Sequence, residues 1–102
     1  MAREQLTTEQ IRLKLDELNE GLAEPWLLKD GKLHKAFAFP DFVRAFGFMT
    51  QAALVAEAMD HHPEWTNVYR HVTVNLSTHD AGGLTALDFA LAARMERLTS
   101  GA

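Results

Sequence analysis

Residues 60–79 read DHHPEWTNVYRHVTVNLSTH, and the hydrophobic period changes within them. Upstream the pattern is helical: Phe42, Phe46, Met49, Ala53 and Ala56 make one stripe, and Val43, Gly47, Thr50, Leu54 and Ala58 make its neighbour. Downstream, Val72, Val74, Leu76 and Thr78 alternate with Thr73, Asn75, Ser77 and His79, the two-residue period of a strand with one apolar and one polar face. Pro63 imposes the change, because its ring disfavours helical geometry at the residue before it. A single strand over residues 66–79 would be unusually long. A break is therefore expected near Arg70-His71, although neither Gly nor Pro marks it.

Outward from this stretch, Pro40-Asp41 is a helix start, and the helix runs on to Asp60. Before it, Trp26–Lys29 and Lys32–Phe39 flank Asp30-Gly31, a strong two-residue hairpin signal, and read as paired strands. Thr7 and Gln10 have capping-box spacing, with Leu6 and Ile11 at the staple positions, so a helix is expected from about Thr8. Its apolar stripe is Ile11, Leu15, Leu18 and Leu22, and Gly21 and Pro25 stop it. After the Gly82-Gly83 loop, Leu84, Thr85, Asp88 and Phe89 repeat the staple-and-cap pattern at the start of a last helix, whose stripe is Leu87, Leu91, Met95 and Leu98. The order α-β-β-α-β-β-α predicts an α+β fold: two layers, a four-stranded antiparallel sheet with helices on one face. With no repeat and no linker, residues 1–102 read as a single domain.

Composition narrows the function classes. The formal net charge is -4 and the ten Lys and Arg residues are scattered, which argues against a nucleic-acid footprint. There is no cysteine, so disulfides and thiolate metal sites are excluded. Met1–Gln10 has no apolar signal core, and no stretch approaches the roughly 18 apolar residues of a membrane span. A soluble, cytoplasmic protein is expected. Between Phe42 and Met59 the only charges are Arg44 and Glu57. A helix this apolar around its girth is buried on more than one side, so a subunit interface is expected beside the core face.

His61 and His62 fall at the end of that helix, where partial negative charge favours an imidazolium, and Glu57 lies one turn before His61 in a position to bond it. A stabilising cap accounts for either histidine taken alone. Their adjacency, and a third histidine, His79, ending the polar strand face, point instead to acid–base chemistry. Asp88 is explained as a structural cap. Trp65 and Tyr69 read as core or interface aromatics, and His34 and His71 as surface residues. Adjacent residues at a helix end point roughly 100° apart, so His61 and His62 do not readily share one ion. No metal site is expected.

Glu57, His61-His62-Pro63, Glu64-Trp65, Asn67-Val68-Tyr69, Leu76-Ser77-Thr78-His79 and Gly83-Leu84-Thr85 with Asp88 together resemble the signature of the pterin-4a-carbinolamine dehydratases. The segment Phe42–Met49 is similar too, so the resemblance covers residues 26–98, and the first helix is generic.

The resemblance implies a dehydratase acting on 4a-hydroxytetrahydropterin, the product left when an aromatic amino-acid hydroxylase has used its pterin. Water is eliminated across C4a and N5 to give quinonoid dihydropterin, a step in tetrahydrobiopterin recycling. Such an elimination needs an acid and a base and no metal or redox cofactor. By matching position, His61, His62 and His79 form the catalytic and pterin-contacting set, with His61 and His79 expected as the exchanging pair. Pro63, Thr78, Asp80 and Ala81 line the pocket, Asp80 and Ala81 through backbone, while Glu57 orients His61 and Trp65 walls the ring. The resemblance further implies a homotetramer, a dimer of dimers in which subunits join edge to edge into one sheet and pair through the long helix. Some relatives serve as a dimerisation cofactor of a homeodomain transcription factor. A non-catalytic protein-binding module on the same fold is therefore the alternative reading.

Overall fold

The computed structural model describes residues 2–100. Its elements are α1 (Thr8–Asn19), β1 (Leu27–Lys29), β2 (Lys32–Ala38), α2 (Phe42–Met59), β3 (Glu64–Val68), β4 (His71–Leu76), a 3-10 turn (His79–Ala81) and α3 (Ala86–Ser100). The four strands form one antiparallel sheet in the order β1-β2-β4-β3. The expected element order and α+β class are both present.

Local chemistry accounts for the boundaries. The Thr7 hydroxyl accepts from the Gln10 amide at 3.2 Å, and the Gln10 side chain accepts from the Thr7 amide at 2.9 Å, a complete capping box at the start of α1. The Asp41 carboxylate accepts from the Arg44 amide at 2.7 Å and opens α2. Asp30 and Gly31 both have positive φ, 54° and 77°, the twist that lets a two-residue turn join β1 to β2. The break between β3 and β4 falls at Tyr69-Arg70, as expected, and it is made without glycine. Tyr69 takes a left-handed φ of 52°, and the Asn67 side-chain amide donates to the carbonyls of Tyr69 and His71, each at 3.0 Å. The asparagine side chain thereby braces the turn across its two ends.

Strand alternation turns Leu33 and Phe37 of β2 and Val72, Val74 and Leu76 of β4 inward. They pack with Ala45, Phe48, Ala52 and Ala56 of α2 and Leu91, Ala92 and Met95 of α3 in one core. Phe48 meets Phe37 and Phe39 at ring-centroid distances of 4.9 and 5.0 Å, which seats α2 on the sheet. The inward face of α2 is therefore the stripe of three alanines and one phenylalanine, Ala45, Phe48, Ala52 and Ala56. Of the two stripes expected from the sequence, Phe46, Val43 and Leu54 lie outside the core and are 55%, 77% and 69% exposed. Alanine lets the helix approach closely, whereas the larger side chains remain on an uncovered apolar face.

Two features depart from the sequence reading. The strand expected to run to His79 ends at Leu76, and His79 opens the 3-10 turn, so sheet alternation does not set its direction. The cause is a tight loop in which the Thr78 amide donates to the Gly83 carbonyl at 3.0 Å. Unanticipated, too, is a buried ion pair. Lys35, on the inward face of β2, donates to Glu96 of α3 and to the Glu24 carbonyl, while the Trp26 indole donates to the same Glu96 oxygen at 2.8 Å. These bonds compensate the burial of both charges. Among the described residues no helix is long and apolar enough to cross a membrane.

Candidate active site

Helix α2 ends in a left-handed residue, Asp60, at φ 52° and ψ 44°. The Asp60 amide donates to the Glu57 carbonyl, and the His61 amide reaches back to the Ala56 carbonyl at 3.0 Å, a C-terminal closure usually built on glycine. This reversal separates two histidines that adjoin in sequence. His61 turns inward and is 6% exposed, whereas the His62 side chain is 59% exposed.

Their carboxylate partners separate with them. Glu57 lies 2.8 Å from Nε2 of His62, not beside His61, which corrects the expectation that Glu57 orients His61. The C-terminal reversal carries His61 off the solvent side of α2, where Glu57 stays. Nε2 of His61 instead lies 2.6 Å from Oδ1 of Asp88, whose side chain is wholly buried.

Asp88 is a hub as well as the expected cap. Its Oδ2 accepts from the Thr85 amide at 2.9 Å, the capping contact at the start of α3, and from the Thr78 hydroxyl at 2.8 Å. Thr78 spends its one hydroxyl proton on Asp88, so in the 2.8 Å contact between the two threonine hydroxyls Thr85 is the donor. The Leu87 amide donates in turn to the Thr85 hydroxyl at 3.3 Å. Every proton in the cluster runs toward the carboxylate. An ionised carboxylate only accepts, so with Asp88 in that form Nε2 of His61 is the donor of this contact.

The remaining sequence candidates differ in burial and position. Thr78 is buried in it, and His79 follows directly on the exposed start of the 3-10 turn. Asp80 is exposed and Ala81 half-buried in the same turn. Pro63 is half-buried, and Trp65 packs against the core from the β3 side, opposite Val74. His34 lies on the other sheet face, 2.9 Å from the Asn75 side chain, and His71 is exposed at the start of β4. Among the described residues no three His, Asp or Glu side chains converge as a metal site would need. A groove of about 970 Å³ lies away from the histidines, lined by Lys35, Phe37 and Phe39, by Val43 and Gly47 of α2, and by Leu98.

Comparison with known proteins gives mutually consistent matches. The family model described as pterin 4 alpha carbinolamine dehydratase matches residues 4–98. A protein of Solibacter usitatus, provisionally named pterin-4-alpha-carbinolamine dehydratase, is 54% identical over 92 residues, 88% of this chain and 97% of that protein. One of Chelativorans with the same provisional name is 54% identical over 97 residues, 93% of this chain and 94% of its own length. A crystal structure from Brucella melitensis, described as a transcriptional coactivator/pterin dehydratase, superposes with a TM-score of 0.80 at 42% identity. That likeness covers 93% of this chain and 98% of the other. By the extent and agreement of these matches, the chain belongs to the pterin 4 alpha carbinolamine dehydratase family.

Proposed function

We propose that the protein dehydrates 4a-hydroxytetrahydropterin by histidine acid–base catalysis. The C4a–O bond breaks and N5 loses its proton. A C4a=N5 double bond forms, and water and quinonoid dihydropterin leave. The product suits a reductase that returns it to the tetrahydro state, which places the step in tetrahydrobiopterin recycling. The protein supplies one proton donor for the departing hydroxyl and one acceptor for N5–H, and after turnover the two must be reset through solvent.

The observation that carries this reading is the contrast among the three histidines. His62, paired with Glu57, and His79, at the mouth of the Thr78–Gly83 loop, are exposed imidazoles able to exchange protons with a ligand and with water. His61 is fixed at Nε2 by Asp88, so it would meet the pterin only through its other edge. Exposure therefore favours His62 and His79 as the exchanging pair, in place of His61 and His79, with His61 contacting and orienting the ring. Pro63, Thr78, Trp65 and the backbone of Asp80 and Ala81 complete the pocket in this reading.

Assembly belongs to the same proposal. Strand β1 covers β2 only over Lys32–His34, so among the described residues the β2 edge from Lys35 to Ala38 has no strand beside it on that side. Helix α2 in turn exposes Phe42, Val43, Phe46 and Leu54. A homotetramer that extends the sheet through one edge and pairs the α2 faces would cover both features. The Brucella melitensis structure's description as a coactivator favours a second reading, in which this apolar helix face docks a regulatory protein.

The deciding experiment follows the absorbance of quinonoid dihydropterin as chemically generated 4a-hydroxytetrahydropterin is mixed with the protein. Dehydration well above the uncatalysed rate is expected. A rate equal to the uncatalysed one would overturn the enzyme reading and leave the protein-binding one.

A further inference from the structure

Residues 3–6 cross both loops that carry the histidines. Nη2 of Arg3 donates to the Asp60 carbonyl at 2.8 Å and also lies 3.6 Å from the Asp60 carboxylate. The Leu6 amide donates to the Leu84 carbonyl at 2.8 Å. Between them Gln5 lies over Gly83, so closely that a β-carbon there would come within 2.8 Å of its side-chain nitrogen. One end of this strap holds the residue before His61-His62. The other holds the end of the loop that begins at Thr78 and carries His79. Leu6 packs against the core and Thr7 caps α1, so the strap is tied to a rigid element.

The Arg3 contact acts on one peptide group. The Asp60 carbonyl belongs to the peptide joining Asp60 to His61, and the amide of that same group is bonded to the Ala56 carbonyl. Both ends of the plane that launches the two histidines are thereby fixed, one by α2 and the other by Arg3. Asp60 is also left-handed, a conformation that aspartate visits less readily than glycine, so a bond to its carbonyl adds support to the reversal. The ion pair itself is largely exposed and adds little to global stability. Orientation is what the contact can supply. Arg3 lies outside the residues 4–98 that the family model matches.

We infer that Arg3 is a positioning residue of the active site, fixing the directions of His61 and His62 through the Asp60 carbonyl without touching the substrate. The inference rests on the proposed dehydratase reading for its effect on turnover, but its structural effect can be read without substrate.

The test compares Arg3→Ala and Arg3→Lys with Arg12→Ala, which removes the same charge from ion pairs to Glu9 and Asp16 within α1. NMR follows the imidazole signals of His61 and His62, the Trp26 indole signal reports the core, and kcat, KM and Tm are measured alongside. In Arg3→Ala the two imidazole signals should move and kcat should fall about tenfold, with KM within about twofold. The indole signal and Tm should stay at wild-type values. Arg3→Lys should recover most of the loss, since an ammonium can donate to the same carbonyl, and Arg12→Ala should match wild type. Unmoved imidazole signals and undiminished kcat in Arg3→Ala would overturn the inference. So would a loss that lysine does not restore and that comes with a lowered Tm and a shifted indole signal, because that would be general destabilisation. A wild-type protein with no dehydratase turnover would remove the proposed function, while the imidazole signals would still decide the role of Arg3.

Discussion

Nε2 of His61 lies 2.6 Å from Oδ1 of Asp88, across a contact in which neither side chain reaches solvent freely. The pair joins the end of α2 to the start of α3, and Thr78 joins the same carboxylate to the loop of His79. One buried group therefore ties together the three segments that carry the candidate chemistry. Its value lies in the bonds it completes, since a buried carboxylate with fewer donors would be costly.

Asp88→Ala should leave His61, the Thr78 hydroxyl and the Thr85 amide without their acceptor, and lower stability by about 3–5 kcal/mol. Asp88→Asn keeps the shape but turns one acceptor into a donor, and should cost about 1–3 kcal/mol. Turnover per folded molecule should fall about tenfold or more in the asparagine variant, because the charged acceptor that orients His61 is lost. Urea unfolding and the dehydration assay measure the two effects separately. Wild-type stability in Asp88→Ala would show that the hub holds nothing together.

Lys35 and Glu96 give a second stability prediction, independent of the site. Lys35→Met removes the ammonium that faces the buried Glu96 carboxylate, leaves it the Trp26 indole donor, and should cost about 3 kcal/mol. Adding Glu96→Gln, which removes the stranded charge, should recover much of that loss. The double variant should therefore melt above the single one in calorimetry. A double variant less stable than Lys35→Met would mean that the pair is not coupled as described.

Leu54 addresses assembly, because it is exposed on the apolar face of α2 and is absent from the core. Leu54→Asp should leave the protomer folded, as judged by circular dichroism, and weaken association by several kcal/mol if that face is packed between subunits. Sedimentation should then show a tetramer for the wild type and smaller species for the variant at micromolar concentration. A monomeric wild type would contradict the interface.

The fold was legible because its signals are local. Thr7 with Gln10, Asp30-Gly31, Asp41 and Pro63 each fix a boundary through one or two bonds or one backbone restriction, and the structure realises each of them. The face of α2 was harder to read. Its sequence is apolar on every side, so periodicity could not say whether Phe46 or Phe48 meets the core, and packing with Phe37 and Phe39 decides for Phe48. The histidines were visible as a set, but their partners were not. Whether Glu57 bonds His61 or His62 depends on the left-handed turn at Asp60, a conformation that spacing does not reveal. Asp88 was recognisable as a cap, yet capping uses only one of its oxygens, and the spare one was the available hint of a second role. Lys35 carried a hint too, since it stands between Leu33 and Phe37 on the inward face of β2.

The central claim is that exposed imidazoles move the protons of the elimination, and turnover of the His62→Ala, His79→Ala double variant tests it most directly. His34→Ala is the control, because His34 lies on the opposite sheet face beside Asn75. The control should dehydrate 4a-hydroxytetrahydropterin like the wild type. Each single variant should lose about 10²- to 10⁴-fold in kcat, and the double variant should lose far less than the product of the two, because groups acting as one unit are not additive. A folded double variant with near-wild-type turnover would contradict the account.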